Sequence, residues 1–192
     1  MVNRCLSRTV IWICLAAGWP LAAQVPRPAG EFTIHMTDGK QIRLSQYKGK
    51  VCVLAFLLTY CPHCQKIAGI LSSMQNELGK RGFQALGSAI EPNAKKAVPG
   101  FIKQFHPAFP AGYDGRDPVL EFLHHPSMLR LLMPQLVFID RKGTIRAQWE
   151  GDDQRLMRDP GKNIRNQIES LLKEGAAPQK KQRASSVQKK AS

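Results

Sequence analysis

Cysteine is scarce in this sequence, with five residues in a chain of 192. Two of them, Cys5 and Cys14, fall in an N-terminal stretch that reads as a leader, which leaves Cys52, Cys61 and Cys64. Three is too few, and an odd number, for a disulfide framework. A second C-x-x-C is missing and so is an H-x₃₋₅-H, so nothing completes a structural zinc site. The N-terminal apolar run, broken by Pro20, falls short of the ~20 residues that a membrane span needs. Basic motifs interleaved with aromatics are absent too, which argues against nucleic acid as a partner. No internal repeat is present, so a solenoid is excluded.

What is present divides into three parts. Residues 1–23 have the pattern of a signal peptide: Arg4 and Arg8 before an apolar stretch from Val10 to Ala17, a break at Gly18-Trp19-Pro20, and small residues at Ala22 and Ala23 for cleavage. A retained anchor is the alternative, but Cys14 lacks the small residues that precede a lipidated cysteine. Export to the periplasm or medium follows, without stable membrane insertion once the leader is removed. Residues 24–175 are long enough for one domain with a real core. Residues 176–192, "AAPQKKQRASSVQKKAS", are basic and almost devoid of apolar side chains, so they are expected to stay disordered. Of the net charge of +14 the leader carries two and the tail five, leaving about +7 for the domain.

Hydrophobic periodicity lays out an α/β domain. A hairpin is expected from Phe32 to Leu44 about Asp38-Gly39. "VCVLAF", Val51 to Phe56, is a continuous apolar run and fits a central strand covered on both faces, with Cys52 as a small buried hydrophobe. Ile67, Ile70, Leu71, Met74 and Leu78 recur at helical spacing before Gly82. A second strand spans Phe83 to Ile90, and a helix is expected to start near Pro99. Residues 106–133 are the least legible, with a short helix expected before Pro126. "QLVFID", "RKG" and "TIRAQWEG" form a hairpin, and Ile164, Ile168, Leu171 and Leu172 mark a last helix.

The chemistry lies in "LLTYCPHCQK", residues 57–66, where Cys61 and Cys64 stand at the junction of a buried strand and a helix. Pro62 suits the first helical position, because its missing N–H had no partner in any case. Cys61 then sits at the N-cap, where unpaired N–H groups and the helix dipole favour a thiolate. Cys64 comes round to the same side within bridging distance, as the resolving thiol. His63, when protonated, adds a positive charge beside the sulfurs. Stabilising a thiolate scarcely changes its attack rate, because the gain in ionised fraction is largely offset by lost nucleophilicity. It does stabilise the reduced pair, so CPHC tilts towards giving its disulfide away.

Together, "DGKQIRLSQYKGKVCVLAFLLTYCPHCQK" and "MPQLVFIDRKGTIRAQWEG" resemble the exported thioredoxin-like proteins of the TlpA/ResA type, over roughly residues 31–172. The resemblance implies a thioredoxin fold, a central mixed sheet flanked by helices, with an added N-terminal β-hairpin. It implies thiol–disulfide exchange with exported protein thiols or disulfides and with a redox partner protein. No cofactor is implied beyond the Cys61–Cys64 disulfide, and a monomer is expected. By position, Cys61 attacks, Cys64 resolves, Pro134 is the cis-proline facing them, and Met133 offers its backbone to an extended substrate beside Tyr60. The sequence departs from the family pattern in several places. Tyr60 stands where tryptophan is usual, Gln135 follows Pro134 in place of threonine, and Ala55 supplies no carboxylate beneath the cysteines. Glu91 is a loosely aligned substitute for that acid, for which a surface position is the expectation. The dipeptide in CPHC is that of DsbA-type oxidases, which leaves the direction of electron flow open. Two rivals share the fold. A peroxiredoxin needs a threonine where Leu58 stands, with Thr59 one place late. A Sco-like copper(I) carrier would add His124 or His125 to the two thiolates, but it spaces its cysteines as C-x-x-x-C.

Overall fold

The computed structural model describes residues 24–174, so the leader and the basic tail lie outside the described residues. The hairpin expected after the leader consists of β2 (Thr33–His35) and β3 (Gln41–Arg43), paired antiparallel with Ile34 opposite Ile42. Gly39 at its tip has φ +87°, a left-handed conformation that glycine adopts without a Cβ clash. Leu44–Tyr47 form a short 3₁₀ turn, and β4 (Val51–Leu57) follows, buried along its whole length. β4 leads into α1 (Pro62–Leu78), whose apolar face carries Ile67, Leu71, Met74 and Leu78 inward. At Gly82, with φ +92°, the chain turns into β5 (Phe83–Ala89).

α2 (Ala94–Phe105) begins five residues before Pro99, the expected start. Pro99 instead stands in the second turn, where its ring removes one helical hydrogen bond while Val98 and Phe101 keep the helix docked. The poorly legible region holds β6 (Ala111–Tyr113) and α3 (Arg116–Leu123), the latter being the short helix expected before Pro126. β7 (Gln135–Ile139) and β8 (Thr144–Trp149) form the late hairpin. A single turn, α4 (Gln154–Met157), precedes the last helix, α5 (Pro160–Glu174). A two-residue strand, β1 (Arg27–Pro28), pairs with β8.

Among the described residues these strands make one sheet in the order β1-β8-β7-β4-β5-β6-β2-β3. β4 is parallel to β5 and antiparallel to β7, so the sheet is mixed, and the N-terminal hairpin joins it through β6. Side chains of β4 alternate between two cores, as the period of a strand requires. Val53, Ala55 and Leu57 pack under α1 and α5 with Ile67, Leu71, Ile164 and Ile168. Leu54 and Phe56 pack on the other face with Phe32, Val119, Phe122 and Leu123. Each such large side chain taken wholly out of water contributes about 1.5–3 kcal/mol, which makes β4 the rigid base of whatever follows it. No helix among the described residues is long and apolar enough to cross a membrane.

Candidate active site

Three segments meet where β4 ends. The first is the turn into α1. The Cys61 N–H donates to the Leu58 carbonyl at 3.1 Å, and the Gln65 side-chain amide donates to the Thr59 carbonyl at 2.8 Å. Cys61 is the N-cap of α1, with extended backbone (φ −81°, ψ 119°), and Pro62 takes the first helical position. The Cys61 Sγ accepts the Cys64 N–H at 3.5 Å, so an unpaired donor of the helix end points at this sulfur. Both cysteines are free thiols, Cys61 half-buried and Cys64 buried. The Cys64 Sγ accepts the Leu58 N–H at 3.5 Å. Burial pushes the Cys64 thiol well above the ordinary thiol range; the Leu58 N–H opposes this, while Cys61 and Glu91 add to it. An outer sulfur held at a helix N-terminus and an inner one that keeps its proton are the two thiols the spacing predicts.

The second segment is the approach to β7. The Met133–Pro134 peptide bond is cis, Pro134 is buried, and Met133 is half-buried between the two cores. Gln135 ties this turn together: its buried side-chain amide donates to the Leu132 carbonyl at 2.7 Å, and the Gly151 N–H reaches the same oxygen at 3.4 Å. Gly151 opens the third segment, the stretch after β8 that leads to Met157. It lies flat against the Met133 peptide, where a Cβ would stand 2.6 Å from the Met133 carbonyl carbon.

Between the three segments is a cleft of about 640 Å³, walled by Leu58, Tyr60, Cys61 and His63 on one side and by Leu131, Met133 and Met157 on the other. Its rim carries exposed apolar side chains, interspersed with Arg130 and Asp152. Tyr60 is 68% exposed and Met157 57%, and along the loop that supplies Leu131 and Met133, Met128 is 95% exposed. Large apolar side chains left in water round one thiol mark a surface made to be covered, and methionine adapts to varied partners. All seven residues singled out from the sequence, Tyr60 to Cys64 with Met133 and Pro134, therefore fall in two of the three segments that meet at the cleft.

Other expectations fare differently. Ala55 faces α1 in the same core as Cys64 and leaves no acid there, as its identity implies. Glu91, expected at the surface, is buried, with only 4% of its area exposed. The parallel pairing of β4 and β5 brings both strand ends out together, and Glu91 swings under Thr59, whose N–H donates to its Oε1 at 3.1 Å. A signal for this was present: an acid directly after an apolar strand that must end at the same edge as β4. Gly151, Met157 and Gln135 were visible as residues but not as neighbours, because only tertiary packing places them at the cysteines. His124 and His125 are not brought to the sulfurs. His124 closes α3 and faces a cleft with Arg27 and His35, while the His125 ring bonds the Pro126 carbonyl at 3.0 Å. No group of three His, Cys, Asp or Glu side chains suited to a metal forms among the described residues, and the copper reading gains no support. Cys52 is buried at the opposite end of β4, and burial pushes its thiol up to about 12, so it is an inert core residue.

Comparison with known proteins agrees with this geometry. The Redoxin family profile matches residues 23–165. The thiol-disulfide oxidoreductase ResA of Bacillus thuringiensis subsp. konkukian is 24% identical over 161 residues, covering 78% of this chain and 90% of the relative. The ResA of Geobacillus thermodenitrificans is 29% identical over 130 residues, covering 62% of this chain and 74% of the relative. A thiol:disulfide interchange protein of the thioredoxin family from Chlorobium tepidum superposes with a TM-score of 0.64 at 21% identity, covering 79% of this chain and 99% of that one. One from a Bacteroides species gives 0.64 at 18% identity over 83% of this chain and 95% of its own. With the fold, the cysteine pair and the profile in agreement, the chain belongs to the Redoxin family, as a thioredoxin-fold oxidoreductase of the TlpA/ResA type.

Proposed function

We propose that the protein exchanges disulfides with exported protein partners through Cys61 and Cys64. The observation that carries this reading is the capped pair itself: an outer thiol at the N-terminus of α1 and an inner thiol one turn later, beside an open apolar cleft. In the reducing direction the Cys61 thiolate attacks a partner disulfide, forming a mixed disulfide and releasing one partner sulfur as thiolate. Cys64 then attacks the Cys61 sulfur. The Cys61–Cys64 bond forms, the bond from Cys61 to the partner breaks, and the partner has gained the two electrons that the pair has lost. Run backwards, the same steps donate a disulfide.

The remaining roles follow from position. Pro62 starts the helix at the nucleophile, His63 lends a positive charge when protonated, and Pro134, the buried cis-proline before β7, faces the pair as the family resemblance implies. Met133 presents its peptide to an extended partner segment, and Tyr60 flanks it. The loop before Met133, with Met128 and Leu129 exposed, is where partner choice is made. Export of the chain, action as a monomer, and reliance on the disulfide alone as redox group complete the reading.

The test is trapping. Reduced and mixed with a peptide that carries an internal disulfide, Cys64→Ser should accumulate a one-to-one mixed disulfide at Cys61, Cys61→Ser should accumulate none, and the parent should release the reduced peptide. Failure of Cys64→Ser to trap while the parent still exchanges would refute the assigned order of the thiols. The reduction potential, measured in glutathione buffers, assigns the direction. A value of roughly −120 to −180 mV makes the protein a donor of disulfides, and one near about −270 mV or below makes it a reductant.

A further inference from the structure

The end of the sheet opposite the cysteines is closed by three turns. Residues 48–50 lead into β4, residues 79–82 lead into β5, and residues 141–143 join β7 to β8. Hydrogen bonds tie them into one surface. The Gly49 N–H donates to the Arg141 carbonyl at 3.1 Å and the Val51 N–H to the Gly82 carbonyl at 2.9 Å. The Arg141 guanidinium donates to the Gly49 and Arg81 carbonyls at 3.0 and 3.1 Å. The turns read KGK, GKRG and RKG, so every residue in them is glycine, lysine or arginine. Gly49, Gly82 and Gly143 supply the left-handed φ that the turns require. Lys48, Lys50, Lys80, Arg81, Arg141 and Lys142 thus share one pole with no carboxylate in the turns, and all but Arg141 are exposed.

The carboxylates that border this pole are already engaged. Asp140 accepts the Lys142 and Thr144 N–H groups and the Arg146 guanidinium. Glu174 pairs with Arg146 at 2.6 Å and Glu169 with Arg81 at 3.6 Å, while Glu31 accepts the Ser45 and Phe32 N–H groups. Lys48, Lys50, Lys80 and Lys142 have no ion-pair partner among the described residues. At the cysteine end the signs are mixed, with Asp152, Asp153 and Asp159 beside Arg155 and Arg158 between β8 and α5. α5 ends at the basic pole, where Arg146 holds Glu174. The sequence beyond it, residues 176–192, adds five basic side chains and no acid.

We propose that this pole docks the protein on the anionic phospholipid surface of a membrane, with the thiol cleft facing away from the lipid. Such a surface attracts clustered lysine and arginine without apolar contacts, and each of these residues near it strengthens attachment about fivefold. A protein partner fits worse, because the three turns offer no apolar side chain and lysine is depleted from protein interfaces. β4 separates the turns from the cysteines by seven residues, about 23 Å at ~3.3 Å each. That is more than two Debye lengths at physiological salt, which are about 8 Å each. The cleft therefore stays open to partners and outside the field of the lipid.

The experiment measures partition of the full chain, by sedimentation at low salt, onto two kinds of vesicle: phosphatidylcholine alone, and phosphatidylcholine with about one-third phosphatidylglycerol. The ratio of the two partition coefficients cancels whatever the leader contributes by apolar insertion. The parent should favour the anionic vesicles at least about 100-fold, and most of that preference should vanish by about 0.3 M salt. Lys50→Gln with Lys80→Gln and Lys142→Gln should lower the ratio about 30- to 100-fold. Lys66→Gln with Lys95→Gln and Lys96→Gln removes equal charge from exposed positions nearer the cysteines and should lower it less than about fivefold. Equal losses in the two triples would mean that net charge alone is sensed. Loss on deleting residues 176–192, with none in the first triple, would assign attachment to the tail. Equal partition onto both vesicles would leave the pole to an acidic protein. Each of these outcomes overturns the proposal. On the anionic vesicles Cys61 should still react with the neutral disulfide 4,4′-dithiodipyridine within about twofold of its rate in solution; a blocked thiol overturns the orientation.

Discussion

Replacing Gly151 with alanine tests whether the geometry of the Met133 peptide matters for partner exchange. A Cβ there would stand 2.6 Å from the Met133 carbonyl carbon and 3.0 Å from its nitrogen, and closer still to the carbonyl oxygen. Two carbons settle at ~3.5–4.0 Å, so the segments must part by roughly 1 Å. The obstacle is backbone and cannot swing aside. Overpacking of this kind costs about 1–3 kcal/mol, which urea unfolding will read as a lower midpoint at unchanged slope. The functional cost should be larger, because a misplacement of about 1 Å in a positioned site can remove ~10²-fold in rate. Exchange with a peptide disulfide should therefore fall about 10- to 100-fold, while the first attack on the small disulfide 5,5′-dithiobis(2-nitrobenzoate), which needs only an accessible Cys61, should stay within about threefold of the parent rate. Gly112→Ala is the matched control. Its Cβ would stand 2.7 Å from the Ile34 Cγ2 and 3.0 Å from the Met36 Sδ, against β2 and not against the turn holding Met133. It should lose similar stability and keep peptide exchange. If both variants lose exchange equally, or if Gly151→Ala loses none, the Met133 peptide is not the docking strand.

Two further outcomes are expected. Cys52→Ala should cost about 1 kcal/mol at pH 7 for the lost sulfur. In the parent the Cys52 thiol is pushed up to about 12 in the folded state, so its contribution is fully present below pH ~9 and is lost by pH 12 at ~1.4 kcal/mol per unit. The two stability curves, from urea melts in reducing buffer, should cross near pH ~10; a variant still weaker at pH 11 would show that burial does not hold the thiol protonated. Met128→Ser with Leu129→Ser should leave stability within about 0.5 kcal/mol, since both side chains are exposed, while raising KM for a peptide disulfide about three- to tenfold. An unchanged KM would remove this loop from partner recognition.

The parts of this fold that could be read from the sequence are those whose signal is local. β4 is seven buried residues in a row, α1 repeats its apolar positions at helical spacing, and Cys61-Pro62 is a cap followed by a first-turn proline. α2 was misplaced because Pro99 is a weaker punctuator than the docking of Val98 and Phe101, which carries the helix through it. β6 and β1 are strands of three and two residues, too short to show a period, and exist because neighbours offer them a ladder. At the site, the cysteines and Pro134 were legible by motif. Glu91 was not, since its burial depends on two parallel strands ending in register. Gly151 was not either, because the need for a missing Cβ appears only when the Met133 peptide lies against it.

The order of the sheet has a consequence for its shape. β1 and β2 are separated by six strand spacings, about 29 Å across a flat sheet at ~4.8 Å each. Only five residue steps join Pro28 to Thr33, a reach of about 17 Å even when extended. A flat sheet is therefore impossible, and the two flanks must curl towards each other across the face that Phe32 occupies. The Ala29 N–H holds the Gly143 carbonyl at one flank, and the Phe32 carbonyl holds the Leu44 N–H at the other. Residues 29–32 act as a drawstring: neither margin can be peeled open without loading the other.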